Sequence, residues 1–262
     1  MTDAYGRVLE IETDGAIFRY PERSIDLRLS RDIYPEPDTG DVTLYNLSPD
    51  TINSLRAGVP ITIRAGYGSD IGNIFTGTIE EVSSRRGIPD TETRLLVVDG
   101  SSRYLRYPIH TLFSGWRSGR RIIYDGLSWA KTPAIFHPDC ADKMYRDYSL
   151  SGTMSSETRP LLADIGATGH IYDGKMYIHP IKTPVFGTVI IGAKNGVLEQ
   201  PLPIKDAETG ERGYSVKTLL FHQLRPGGSI DLTIRDVTGK FIIRKITYRV
   251  SDTDFVCDME VY

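Results

Sequence analysis

Apolar and polar positions alternate with a period of two through much of the first hundred residues. Ile25, Leu27 and Leu29 interleave with Ser24, Asp26, Arg28 and Ser30, the pattern of a strand with one buried face. Val42 and Leu44 repeat it against Thr43 and Tyr45, Ile61 and Ile63 against Thr62 and Arg64, and Phe75, Gly77 and Ile79 against Thr76 and Thr78. Leu95 to Val98 is apolar on both faces. Pro35, Pro37 and Gly40 punctuate the chain before Val42, and Gly66, Gly68 and Gly72 before Phe75, as turns require. One short helix is predicted between strands, with Ser48 as N-cap, Pro49 at the first helical position and Gly58 beyond Leu55 as the stop. Strands this short and closely spaced predict a small barrel or sandwich.

The middle of the chain reads differently. Ser118 caps a predicted helix carrying Arg121, Ile122, Ile123, Leu127 and Trp129, which Pro133 ends. A second helix is expected from Ser156 through Leu161, Leu162 and Ile165 to Gly166, with Pro160 in its first turn. Asp173-Gly174 is a hairpin turn pair. It sets Ile171, Met176 and Ile178 on one face, expected to pack, and His170, Tyr172, Lys175, Tyr177 and His179 on the other, expected to face solvent. Strands then return: Ile230, Leu232 and Ile234 alternate with Asp231, Thr233 and Arg235, Phe241 to Val250 follows an expected Thr238-Gly239 turn, and Phe255, Cys257, Met259 and Val261 alternate.

The two strand-rich ends resemble one another. Leu55-Arg56-Ala57-Gly58-Val59-Pro60-Ile61-Thr62-Ile63 lies without a gap on Leu224-Arg225-Pro226-Gly227-Gly228-Ser229-Ile230-Asp231-Leu232, sharing Leu, Arg, Gly and Ile. Gly72 through Ile79 then matches Gly239 through Ile246. Duplication and shared strand-turn grammar both produce such a match. The expected fold is mainly β (α+β): two related small β-barrel domains, residues 1–100 and 182–262, flanking an α+β module at 101–181.

Composition narrows the classes. The 262 residues are 40% hydrophobic and 25% charged with 2 Cys, which excludes disordered, collagen-like and disulfide-scaffold chains. Cys140 and Cys257 read as ordinary thiols. A net charge of -3 does not mark the whole chain as a binder of nucleic-acid phosphates. Tyr, at 15 residues against 8 Phe and 2 Trp, suits half-buried sheet faces and interfaces. Met1 to Arg7 lacks the basic start and apolar run of a secretory signal, and no run approaches the ~20 apolar residues of a membrane span.

Catalytic motifs are missing: there is no Gly-x-Ser-x-Gly elbow, no phosphate loop of the Gly-Lys-Ser/Thr kind and no His-Glu-x-x-His pair. Gly66-Tyr67-Gly68 with Gly72 reads as a turn between strands, not an anion cradle. His170, His179, His137, Asp139 and Cys140 contain ligand types without ligand spacing, so no metal or cofactor is expected. Glu80-Glu81 alternate across a strand and Asp252-Thr253-Asp254 forms a turn, which places neither pair around one glycosidic bond. Arg85-Arg86 and Arg117, Arg120 and Arg121 are the basic clusters, read as interface or solvated positions rather than a nucleic-acid site. No catalytic, cofactor-binding or metal residue is assigned.

Several phrases resemble a known family. Ile25-Asp26-Leu27-Arg28-Leu29-Ser30, Asp41-Val42-Thr43-Leu44-Tyr45-Asn46-Leu47-Ser48, Ala65-Gly66-Tyr67 and Ile74-Phe75-Thr76-Gly77-Thr78-Ile79 are similar to the opening domain of tail hub proteins of tailed bacteriophages. Asn195-Gly196-Val197, Leu224-Arg225-Pro226-Gly227 and the strand from Gly239 to Val250 resemble the close of that family. The resemblance implies a non-enzymatic baseplate hub of the virion tail, assembled in the host cytoplasm. It implies a homotrimer in which two related barrels per chain make a ring of six, adapting a sixfold tail tube protein to a threefold spike protein. DNA would pass through its channel without specific binding. The tape-measure protein and other baseplate proteins are further expected partners. Two similar β-domains per chain are independently what such an adaptor needs, since three copies then supply six quasi-equivalent positions. A tail-associated peptidoglycan hydrolase and a receptor- or sugar-binding tail module are the alternatives.

Overall fold

Seven strands and one helix occupy the N-terminal part of the chain: β1 (Arg7–Thr13), β2 (Ala16–Tyr20), β3 (Ile25–Asp32), β4 (Thr39–Tyr45), α1 (Pro49–Ser54), β5 (Pro60–Tyr67), β6 (Asp70–Arg86) and β7 (Thr91–Asp99). The structure is a computed structural model and describes residues 5–34, 37–87, 89–99, 104, 106–205 and 210–262. The alternating runs form the expected strands, and Ile25, Leu27, Leu29, Val42, Leu44, Ile61, Ile63, Phe75 and Ile79 are all buried. Ser48 caps α1, its hydroxyl accepting from the Thr51 N–H at 3.2 Å. Of the glycine cluster only Gly68 lies in the turn, inside the pair Tyr67–Asp70. Gly66 and Gly72 are strand residues paired to Ile71 and Ala65, and Gly40, also expected in a turn, pairs with Leu29 within β4. The expected Pro35 turn residue and the domain boundary at 100/101 lie outside the described residues.

The middle holds β8 (Pro108–Ser118), α2 (Gly119–Trp129), β9 (Ala134–Phe136), β10 (Met144–Thr153), α3 (Met154–Asp164), β11 (Ala167–Tyr172) and β12 (Lys175–Pro180). Ser118 caps α2, accepting from Arg121 N–H at 3.3 Å. Gly119, Ile122, Ile123, Gly126 and Leu127 are buried along one stripe of the helix. A Cβ at Gly126 would stand 2.6 Å from Met154 Cε, so the glycine permits this close packing. α3 starts earlier than expected. Thr153 is its N-cap, and its hydroxyl and that of Ser156 satisfy each other's backbone N–H groups. Pro160 therefore lies in the helix interior, where it removes one N–H from the ladder.

The hairpin β11–β12 turns at Asp173-Gly174 as expected, with both residues at positive φ. Its second face is only partly open to solvent: Lys175 is exposed and Tyr177 half-buried, but His170, Tyr172 and His179 are buried, as are Ile171, Met176 and Ile178 on the first. Alternation marks which residues share a face. It does not say whether that face is covered, and here most of the second face is.

The C-terminal part contains β13 (Thr188–Gly192), β14 (Leu202–Lys205), β15 (Arg212–Leu219), β16 (Ser229–Ile234), β17 (Val237–Val250) and β18 (Phe255–Val261). The hairpin before β17 turns at Arg235-Asp236, since Ile234 pairs with Val237. Thr238 and Gly239, expected as the turn, lie within the strand, where Gly239 opposes Leu232. Phe255, Cys257, Met259 and Val261 all point into the core.

Two compact units result. Met1–Asp32, Thr39–Val98 and Phe186–Tyr262 form one, and Ile33–Asp38 with Asp99–Val185 the other. The first is built on a 13-stranded sheet in the order β14-β15-β18-β17-β3-β4-β7-β6-β5-β1-β2, with β16 joined to β17 and β13 to β16. The fold is mainly β, as expected, but no sheet closes into a barrel within the described residues. Among those residues no helix is long and apolar enough to cross a membrane.

The first unit contains one strand order twice. β3-β4-β7-β6-β5-β1 in the first half corresponds to β14-β15-β18-β17-β16-β13 in the second. Ile79 exchanges backbone hydrogen bonds with Gly58 and Val59, and Ile243 does so with Gly227 and Gly228. Gly58 and Gly227 both have positive φ. Leu55, Ile61 and Ile63 occupy the places of Leu224, Ile230 and Leu232, all buried. The structure shifts the later part of the sequence match, however. Phe75 opposes Ile63 as Gly239 opposes Leu232, so Gly239 stands in the place of Phe75, not Gly72. The hairpin loop is shorter in the second half than the sequence match allowed.

Candidate assembly surfaces

The sites singled out in the sequence do not converge. Glu80 and Glu81 are exposed on β6, and Asp252 and Asp254 belong to the β17–β18 turn, where Ser251 accepts from the Thr253 and Asp254 N–H groups. His170 and His179 approach to 3.4 Å through Nδ1 and Nε2. Burial pushes the His179 imidazole below its ordinary value, because a charged ring is poorly solvated there. His137 instead accepts from the Asp139 N–H at 3.2 Å, and Cys140 donates to the Ile178 carbonyl at 3.3 Å. Among the described residues no three His, Cys, Asp or Glu side chains gather in metal-holding geometry.

One acidic depression was not foreseen. Glu22, Asp26, Asp90 and Asp252, with Arg23, Tyr45 and Asn46, line an open hollow of about 480 Å³. The Tyr45 hydroxyl donates to Asp26 at 2.7 Å, and that bond, aided by burial, raises the phenol to about 12. Asn46, at positive φ, donates to Asp90 at 2.7 Å. These residues come from the loop before β3 and the start of that strand, the end of β4, the β6–β7 turn and the β17–β18 turn, so nothing local joins them in the sequence.

Open strand edges are the more extensive feature. Among the described residues β2, β13 and β14 each pair with one strand only, and each shows an exposed aliphatic side chain: Ile17, Ile190 at 69% and Leu202 at 62%. The loop after β13 caps part of its edge, with Asn195 donating to the Ile190 carbonyl at 2.8 Å. An uncapped edge presents backbone donors and acceptors to a further strand. The outer half of β6 is a fourth such edge. Beyond Ile79 its residues are exposed, apart from half-buried Val82.

The matching half of β17 is covered. Lys245 to Val250 pairs with Asp32 to Leu27 of β3, and Ile246, Tyr248 and Val250 are buried. A bulge at Arg244 sets these directions. Ile242 and Tyr262 exchange both hydrogen bonds before it, and Lys245 opposes Glu260 after it. Lys245, Thr247 and Arg249 thus face β18 with their backbone groups, and Ile246, Tyr248 and Val250 face β3. β6 changes face at the same place. Phe75, Gly77 and Ile79 point inward, yet Ser84 reaches the buried Thr93 at 3.4 Å. Ser84 and Thr93 thereby repeat the pair Tyr248 and Cys257.

In the second unit β8 and β10 form a separate two-stranded ribbon. A bulge at Gly115, whose N–H donates to Asp147 at 2.7 Å, separates the pairs Trp116–Arg146 and Phe113–Tyr148. Leu112, Trp116 and Met144 are exposed there. Arg121 of the basic cluster pairs with Asp125 at 3.0 Å, and Arg120 lies over the Phe136 ring at 5.0 Å.

No protein-family model matches the sequence, and no curated protein matches it. Solved structures do share the fold. The 43 kDa tail protein of prophage MuSo2 from Shewanella oneidensis aligns with a TM-score of 0.75 at 10% identity, over 98% of each chain. A tail protein from Neisseria meningitidis aligns at 0.74 and 9% identity, over 98% of this chain and 96% of that one. The c3393 protein of E. coli, a type VI secretion component described as similar to the T4 tail proteins gp27 and gp5, aligns at 0.70 and 8% identity, over 96% of this chain and 76% of its own. The chain therefore shares its fold with phage tail proteins.

Proposed function

We propose that the chain is a non-enzymatic structural hub of a phage-type tail. Three copies form a ring that joins a sixfold tube to a threefold spike and leaves a channel for DNA. The observation that carries this reading is the repeated scaffold in the first unit. Two copies of one strand order in a chain let three chains occupy six equivalent places, which is how a threefold assembly meets a sixfold one. The likeness to tail proteins along nearly the whole length supports the same reading. The tube and spike proteins are the partners, with the tape-measure protein and other baseplate proteins around them, in the virion tail.

Electron microscopy of the purified chain at high concentration, and of tail particles containing it, tests the proposal. A ring with threefold symmetry and an open centre is expected in the particles at least. A lone asymmetric copy in the assembled tail would refute it. The acidic depression gives the hydrolase alternative its one structural foothold, since paired carboxylates cut glycosidic bonds. Cleared zones on a peptidoglycan gel that vanish with Asp26→Asn or Asp90→Asn would establish that alternative instead.

A further inference from the structure

We infer that copies of this chain join through one particular strand pairing, the outer half of β6 against β14 of the next copy, in a register already present inside each chain. The inference deepens the hub reading and rests on it for the number of copies, but the pairing itself follows from the internal repeat.

Within the chain, β17 of the second scaffold lies along β3 of the first. The repeat makes β6 the counterpart of β17 and β14 the counterpart of β3. Each chain therefore uses one member of each kind internally and, among the described residues, leaves the other without a strand beside it. Applying the same pairing once more places β6 of one copy on β14 of another. The contact is head-to-tail, the kind that closes a ring when its rotation permits.

The register follows residue by residue. Tyr248 opposes Leu29 inside the chain. Ser84 holds the place of Tyr248. Leu29 opposes Gly40, which opposes Val97, while Pro203 opposes Tyr214, which opposes Val261. Val97 and Val261 are equivalent and equally buried, so Pro203 holds the place of Leu29. Between copies, Ser84 then meets Pro203, Val82 meets Lys205, Arg86 meets Pro201, and Arg85 meets Leu202.

The prolines explain why this edge takes one partner and not others. Pro203 has no N–H, so its pair with Tyr214 is of the non-bonded kind, and its nitrogen and carbonyl point away from β15. Pro201, just before β14, is buried and also lacks an N–H; continuing the strand alternation by two residues turns its carbonyl the same way. The outward edge of β14 thus offers acceptors at both places and a donor at Lys205. Two such edges cannot zip together, because acceptors would face acceptors. The β6 edge supplies the missing N–H groups at Ser84 and Arg86. With two donors fewer than the β17–β3 pairing, the joint between copies is the weaker one.

Single-cysteine variants of the full chain test the register. Arg85→Cys and Leu202→Cys are both exposed positions, and they fall in a non-bonded pair, where Cα atoms are about 4.5 Å apart and a disulfide forms most easily. The native Cys140 and Cys257 are buried. Under diamide, an equal mixture of the two variants is expected to give a disulfide-linked heterodimer at least several-fold above either variant alone. A mixture of Arg85→Cys with Ile17→Cys, on the β2 edge, is the control. The double variant R85C/L202C should give linked species ending at a closed trimer. Unchanged circular dichroism confirms that each variant is folded. Linkage in the mixture no greater than in the control overturns the pairing, as does equal self-linkage of Leu202→Cys alone. If microscopy shows a threefold ring but these links do not form, the pairing fails and the hub reading stands. If the links form but continue past three copies, the pairing stands and the threefold ring fails.

Discussion

The outer halves of β6 and β17 occupy equivalent places in two copies of one scaffold, yet their inward side chains differ completely. Ile246, Tyr248 and Val250 of β17 are apolar or aromatic and buried under β3. Val82, Ser84 and Arg86 of β6 are half-buried or exposed and mostly polar. The bulge differs in the same sense. Arg244 is buried, pairs with Glu211 and lies 4.4 Å from the Tyr262 ring centre, whereas Glu80 is exposed. A backbone ladder can be copied while its side chains are chosen for what covers it. An edge always covered within the chain takes core residues, and an edge that waits for a partner keeps polar ones that stay soluble alone.

The strongest way to break this comparison is to truncate both equivalent side chains. Tyr248 is fully buried and its hydroxyl donates to the Leu224 carbonyl. Tyr248→Ala is expected to cost about 3–5 kcal/mol in chemical denaturation, from the cavity and the orphaned acceptor. Ser84→Ala should change stability by about 0.5 kcal/mol or less. Similar losses at both places would mean that the outer half of β6 is already part of a core.

The glycines at the matching turns sharpen the claim of equivalence. Gly58 and Gly227 have φ of 88° and 74°, a region that costs a residue with a Cβ about 1–2 kcal/mol. At Gly58 no atom lies within 4 Å of an added Cβ, so Gly58→Ala isolates that backbone cost. Gly227→Ala should lose at least as much. A neutral result at either would show that the two turns do not share one conformation under load.

The smallest expected effect concerns where the scaffolds diverge. β1 lies antiparallel on β5, but its counterpart β13 lies parallel on β16. Among the described residues only β1 brings an ion-pair cluster to this place: Glu10 accepts from Arg19 at 2.9 Å and from Arg64 at 3.0 Å. The Arg19 bond, with help from Arg64 and against burial, holds the Glu10 carboxyl below 4.5. A depressed carboxyl stabilises the fold fully above its unfolded value and loses that contribution as pH falls through the folded value. Glu10→Gln should therefore flatten the acid limb of the stability curve below about pH 4.5, by under about 1 kcal/mol because both arginines are substantially exposed. An unchanged limb would remove Glu10 from the account.

Much of this organisation was legible in the sequence. Period-two runs such as Ile25–Leu29 and Phe255–Val261 named the core strands and their inward faces, and Ser48, Ser118 and Asp173-Gly174 placed two helix starts and a hairpin through local chemistry. The kinship of Leu55–Ile63 with Leu224–Leu232 was visible because a positive-φ glycine and its flanking apolar residues are local requirements. The remainder depended on distant segments. Nothing near Tyr248 announces that it lies against Leu29, and nothing in the alternation of β11 and β12 tells that His170 and His179 are covered. Thr238-Gly239 looked like the turn because Gly favours turns, but Arg235-Asp236 turns the chain and Gly239 sits opposite Leu232. The acidic hollow joins residues from separate loops and strand ends, and only the fold brings them together.

Amide hydrogen exchange, resolved to single residues in the free chain and in the assembled ring, tests the central comparison most directly. Ile246, Tyr248 and Val250 should exchange slowly in both states, because their N–H groups already bond to β3. Val82, Ser84 and Arg86 should exchange fast in the free chain and slow down on assembly. Equal protection of both sets in the free chain, or no slowing at Val82, Ser84 and Arg86 in the ring, would contradict the account.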